Sequence, residues 1–138
     1  MEYNISLPDE FMIIQFFHKN EFYQMLFNGQ TYEIIGKDDV GNFIGVALDN
    51  RIFYLDTSYS GYENGLIYIS KNLEAFAKQI NLYNQYNSIS FSHNLSEEYL
   101  KEHENNFRKL ITDIDENAFY NEKTFWSTIA EEMGYGII

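Results

Sequence analysis

Along the first half of the chain, apolar residues gather into short runs separated by polar turns. Residues 11–17, FMIIQFF, form a compact run broken only by Gln15. Residues 22–27 form a second, closed by Asn28-Gly29. An Asn-Gly pair between apolar runs is a strong hairpin signal, because both residues tolerate positive φ. Residues 31–35 then read as the partner strand. GKDDVGN (36–42) is a polar turn, and FIGVAL (43–48) a strand. Asp49-Asn50 is a tight connection before RIFYL (51–55), and LIYI (66–69) is a last short strand. Strands joined so closely are expected to pair antiparallel.

The second half changes period. Leu73, Phe76, Ala77, Ile80 and Tyr83 recur at three- and four-residue spacing behind the cap types Ser70 and Asn72, which predicts an amphipathic helix. Residues 84–94 are polar with poor periodicity, so the helix is expected to fray there. A second helix is expected to run to about residue 114, with Leu100, Phe107, Leu110, Ile111 and Ile114 inward. Asn94-x-x-Glu97 resembles its capping box, with Ser96 as the competing cap. Asn121 precedes a third helix over 122–133, with Phe125, Trp126 and Ile129 as its stripe and Gly134 as its stop. Trp126 reads as a core anchor of that helix. Strands first and helices after predict an α+β fold, an antiparallel sheet from the N-terminal half packed by C-terminal helices.

With 138 residues and 45% hydrophobic composition, one domain with a real core is expected over 1–138. Twelve Phe, twelve Tyr and one Trp supply either an aromatic core or ring-rich interfaces. The formal net charge of −12 argues against nucleic acid and against an anionic membrane surface, since both need cations to neutralise phosphate. It suits a basic protein partner, because long-range attraction speeds encounter, and it equally serves solubility.

The absence of cysteine removes disulfides, thiol nucleophiles and Cys-zinc sites. The N-terminal stretch has no basic n-region, and no stretch approaches the roughly 20 apolar residues of a membrane span. A cytoplasmic protein is expected, or one exported by a route that leaves no such signal.

DTSYSGYENG (56–65) opens like a calcium loop, but an EF-hand needs a bidentate Glu at its twelfth position, and counting from Asp56 that position is Ile67. The stretch reads instead as a polar connection between strands. Its Tyr59 and Tyr62, beside Asp56 and Glu63, form either a contact surface for a basic protein or a solvated loop.

His18, His93 and His103 read as lone surface histidines. Phosphate cradles, the H-E-x-x-H pair and the G-x-S-x-G elbow are missing. Carboxylate pairs such as Asp38-Asp39, Glu97-Glu98 and Glu131-Glu132 read as solvated faces and helix-start charges. Neither a cofactor nor catalytic chemistry is expected from this inventory.

Three stretches together carry a resemblance: EIIGKDDVGNFIGVALDNRIFYLD (33–56), YISKNLEAFAKQINLYNQY (68–86) and FWSTIAEEMGYGII (125–138). Their order resembles the SUKH superfamily, the Smi/Knr-type immunity proteins of bacterial toxin systems, and within it the fourth subgroup. Ile35-Gly36, Gly41, Ile44 and Leu48-Asp49 fall on that subgroup's first pattern. Asn72-Leu73 and Phe76 fall on its second, with Ser70-Lys71-Asn72 replacing the usual Asn-Ser-Ser. Phe125-Trp126, Glu131-Glu132 and Gly136 fall on the third, and Leu7-Pro8 resembles an early Leu-Pro. The segment that usually precedes that Leu-Pro is expected to be short or lost, since the sequence starts almost at it.

The resemblance implies an antiparallel sheet with packed helices and an antitoxin that binds a cognate toxin, often a nuclease or deaminase. It carries over no catalytic and no toxin-contacting residue. The candidate partner-binding residues, chosen for their place in turns around the sheet, are Asp38, Asp39, Asp56, Tyr59, Tyr62 and Glu63. The alternatives are a regulatory or scaffold domain of the same fold and, third, a small-molecule enzyme or binder. The toxin's identity and the oligomeric state stay open.

Overall fold

The structure, a computed structural model, describes residues 7–58, 65–90 and 96–136, with the side chains of 88–90 excepted. Among the described residues the fold is α+β, with seven antiparallel strands followed by three α-helices. The strands are β1 (Glu10–Phe11), β2 (Ile14–Phe16), β3 (Tyr23–Phe27), β4 (Gln30–Lys37), β5 (Phe43–Val46), β6 (Ile52–Leu55) and β7 (Leu66–Ser70). The helices are α1 (Leu73–Ser90), α2 (Glu97–Ile114) and α3 (Phe125–Gly134). The chain divides into two compact units, Met1–Ala77 and Lys78–Ile138, with the boundary inside α1.

In the first unit the strand order is β1-β2-β4-β5-β6-β7, with β3 also pairing β4. The Asn-Gly hairpin forms as its chemistry dictates. Asn28 and Gly29 have φ of 50° and 79°, and Phe27 pairs with Gln30 across the two-residue turn. Two positive φ values match the right-handed twist of the flanking strands.

The run at residues 11–17 behaves differently from its expected single strand. It folds back on itself, with Phe11 paired to Ile14 and Met12 at φ 56°. No Gly or Asn marks that turn, so composition gave no sign of it.

Strand β4 takes two partners on one edge. Tyr23 to Phe27 pair with Ile34 back to Gln30, while Gln15 and Phe16 pair with Lys37 and Gly36. The change of partner coincides with a bulge: Ile34 faces Gly45 and Gly36 faces Ile44, so Ile35 is the extra residue opposite β5. Consecutive strands therefore pair antiparallel from β3 to β7 as expected, but β2 skips β3 and joins β4.

Consecutive buried residues on β5 (Ile44, Gly45, Val46) and on β6 (Ile52, Phe53) show that both faces of these strands are covered, because neighbours in a strand point to opposite faces. One cluster joins Phe27, Tyr32, Ile34, Phe53, Leu55 and Tyr68. Its rings meet edge to face, Phe27 with Tyr32, Tyr32 with Phe53 and Phe53 with Tyr68, at centroid distances of 6.4, 6.2 and 5.9 Å. Phe76, in the first turns of α1, lies edge-on to Phe16 at 5.8 Å. Asn72 caps α1, its Oδ1 accepting the Ala75 N–H at 2.8 Å.

In the second unit, α1 continues to Ser90, past the expected fraying point. Ser96 caps α2, accepting the Tyr99 N–H at 3.1 Å, and Asn94 lies outside the described residues. The inward face of α2 carries His103, Glu104, Phe107 and Ile111, whereas Leu110 is exposed. Leu110 stands one position round from the line that 103, 107 and 111 trace at four-residue spacing.

His103 is therefore not a surface residue. It is buried, with ring centroids of Tyr86 and Tyr99 at 4.7 and 5.9 Å. His18 is exposed as expected, and His93 lies outside the described residues.

Helix α3 begins three residues later than its sequence pattern suggests. Asn121 accepts the Lys123 N–H at 2.7 Å in the preceding turn, and Thr124 is the cap, accepting the Ser127 N–H. Gly134 is the last helical residue, and the positive φ that ends the helix is at Gly136. Trp126 is fully buried, as its place in the stripe predicts, against Tyr83 and Phe107 at 6.5 and 6.1 Å. Its Nε1–H donates to Gln79 Oε1 at 3.0 Å.

Candidate functional site

Of the six candidate contact residues, Asp38, Asp39 and Asp56 lie at one end of the sheet, in the segments after β4 and after β6. Tyr59, Tyr62 and Glu63 lie outside the described residues. Asp38 does not face solvent; it is 5% exposed. Its carboxylate organises the β4–β5 turn, with Oδ1 accepting the N–H groups of Val40 and Asn42 at 3.0 and 2.9 Å. Oδ2 accepts the Asn42 side-chain amide at 3.2 Å and the Tyr54 hydroxyl. Such side-chain capture of main-chain N–H groups is what Asp supplies in turns.

Burial by itself pushes the Asp38 carboxyl upward, but the Tyr54 hydroxyl, the two main-chain donors and the Asn42 amide outweigh it, and the group ends below its ordinary range. The same pair acts in reverse on Tyr54. Burial first, then the adjacent Asp38 carboxylate, holds its hydroxyl protonated well above the ordinary tyrosine range.

The turn is also tied to the segment after β6. Asn42 Oδ1 accepts the Thr57 N–H at 2.9 Å, and Thr57 Oγ1 donates to the Gly41 carbonyl at 3.1 Å. Asp56 makes a turn of its own, accepting from Ser58 N–H and Oγ at 3.0 and 2.6 Å. The exposed residues of this braced rim include Asp39, Val40, Thr57 and Ser58. Sequence reasoning thus placed Asp38 in the right turn but not in its role there. It missed Asn42 and Tyr54, for which the only local signal was the Asp-x-x-x-Asn spacing of a side-chain-closed turn.

A second feature lies within the helical unit. A cavity of about 440 Å³ sits between α2, α3 and the linker joining them. The linker is pinned by short polar bonds: Thr124 Oγ1 donates to the Ala118 carbonyl at 2.6 Å, and Ser127 Oγ to the Asn121 carbonyl at 2.7 Å. These bonds fix the wall that carries Phe119, Asn121 and Glu122. The opposite wall is α2, where Arg108 Nε donates to Glu104 Oε2 at 2.6 Å and the guanidinium lies 5.1 Å from the Phe119 ring centroid.

Gly134 accommodates this arrangement. A Cβ built there would stand 1.9 Å from Glu104 Oε1, so any larger residue would require that carboxylate to move from its present position.

Among the described residues, no group of three or more His, Cys, Asp or Glu side chains is placed to hold a metal ion. Nor is any helix among them long and apolar enough to cross a membrane. Comparisons with protein-family models, with curated proteins and with solved structures find no match to this chain.

Proposed function

We propose that this chain is an immunity protein that neutralises a cognate basic toxin, a nuclease or deaminase, by direct binding in the cytoplasm, and that its docking surface is the acidic rim at the β4–β5 end of the sheet. The observation that carries the reading is the bracing of that rim. Asp38 spends its carboxylate on holding the turn, and Asn42 and Thr57 clamp the turn to the next segment. A surface held in one geometry before contact loses less ordering entropy on binding.

The net charge of −12 supplies the long-range attraction to a basic surface that would otherwise take phosphate. The order of the three motif stretches, similar to that in SUKH proteins, supplies the class of partner. In this reading Asp39 and Asp56 act as contacts, and Asp38 acts as the residue that positions Asp39.

The test is titration of the purified chain against the toxin domain encoded in the neighbouring reading frame, at low and at raised salt. Tight binding that weakens with salt, and that weakens about tenfold or more with Asp39→Lys, is the expected result. Binding indifferent to both salt and Asp39→Lys would remove the rim as the docking surface. Absence of any complex would remove the function.

A further inference from the structure

The cavity between α2 and α3 holds an arginine that is fixed on two sides and open on the third. Glu104 engages Nε, and the Phe119 ring covers one face of the guanidinium. Among the described residues, no bond to either terminal nitrogen of Arg108 is present beyond these contacts, and the side chain is one-third exposed. An immobilised guanidinium whose outer pair of N–H groups lacks a partner is a ready receptor for a carboxylate, which it binds by two parallel hydrogen bonds. The Glu104 and Arg108 charges offset one another, so the remaining charged lining is Lys101 on α2, Glu122 on the linker and Glu131 on α3. One wall therefore offers cations to an anion, while the other offers two exposed carboxylates to a cation.

We propose that this cavity binds a small amphoteric molecule of the α-amino acid class, with its carboxylate on the outer edge of Arg108 and its cationic end on Glu122 and Glu131. The volume falls within the range of about 300–1,000 Å³ typical of small-molecule sites. Construction of the site supports a purpose beyond packing. Gly134 makes room for Glu104, Glu104 aims Arg108, and Thr124 and Ser127 hold the linker that stacks Phe119 on it. The inference is independent of the toxin reading, since it concerns a different surface and a different class of ligand.

Calorimetric titration of the full chain with L-arginine, glycine, succinate and putrescine, at matched ionic strength, tests it. L-arginine is expected to bind saturably at one site. Succinate carries only anions and putrescine only cations, so each is expected to bind at least tenfold more weakly. Arg108→Lys keeps the charge but loses the fork, and is expected to reduce L-arginine affinity about tenfold. Glu131→Gln, on an exposed position of α3 that leaves the fold intact, is expected to do the same.

Any one of three results overturns the proposal: no saturable L-arginine binding at millimolar concentration, equal response to succinate or putrescine, or unaltered affinity in both variants. An adventitious weak response, unsaturated and shared by all four probes, counts against it as well.

Discussion

The hydroxyl of Tyr54, on β6, donates to the carboxylate of Asp38 in the β4–β5 turn, joining residues 16 apart in sequence. The acceptor is ionised and already holds two main-chain N–H groups, so the bond belongs to the stronger, charge-assisted class. Tyr54→Phe is expected to lower unfolding free energy by about 1.5–3 kcal/mol, read from denaturant midpoints at constant slope. Asp38→Asn keeps the shape but weakens every acceptor in the turn, and is expected to cost at least as much. A loss under ~0.5 kcal/mol in both would show that the turn holds without them.

The same pair sets opposite pH limits. The Asp38 carboxyl has a folded pKa below its ordinary value, so its contribution is complete at neutral pH and disappears as pH falls below about 4 and through that folded value. Tyr54 has a folded pKa above its ordinary value, so the folded state keeps a proton that the unfolded chain releases near pH ~10. Stability is therefore expected to fall as pH rises past that point. Asp38→Asn should flatten the acid limb and Tyr54→Phe the alkaline one, measured as thermal midpoint against pH. Tyr32 and Tyr83, each also raised chiefly by burial, should leave part of the alkaline limb in place in Tyr54→Phe.

Gly134→Ala places a methyl group on the Glu104 carboxylate. Helix propensity alone would favour alanine by about 1 kcal/mol. The Glu104 carboxylate must then swing aside and give up its bond to Arg108, so the gain is expected to be cut by about 0.5 kcal/mol or more. In a Glu104→Ala background the same change should recover the full gain. A double-mutant cycle with no coupling would remove the claimed contact.

Trp126 is the only tryptophan, and its fluorescence reports directly on the helical unit. Trp126→Phe removes ring area and the donor to Gln79 Oε1, whose amide nitrogen is already buried with no partner among the described residues. The expected cost is about 2–4 kcal/mol in chemical unfolding, beyond that of a simple ring truncation. Adding Gln79→Met to Trp126→Phe should recover part of it, by removing the orphaned amide.

Much of the architecture was readable because its cause is local. Asn28-Gly29 turned because those two residues accept the left-handed conformation, and Ser96 capped because a short hydroxyl can reach the N–H three residues on. The candidate rim was only half readable. Asp38 lies in the turn where a polar cluster announced one, but whether a carboxylate points outward or inward depends on what stands opposite it, and Tyr54 comes from another strand.

What the sequence alone determined was the succession of elements, the α+β class and the main apolar stripe of each helix, since periodicity and turn chemistry act over a few residues. What only the tertiary structure decided was where pairing partners change and where polar groups go. Met12 turns without any turn residue, and β2 bypasses β3 to join β4 where the bulge at Ile35 falls. His103 enters the core between two tyrosines, and Glu104 finds space over Gly134. The last two depend on residues brought together from distant parts of the chain, and a polar group's burial is settled by the partner it meets there rather than by its own identity.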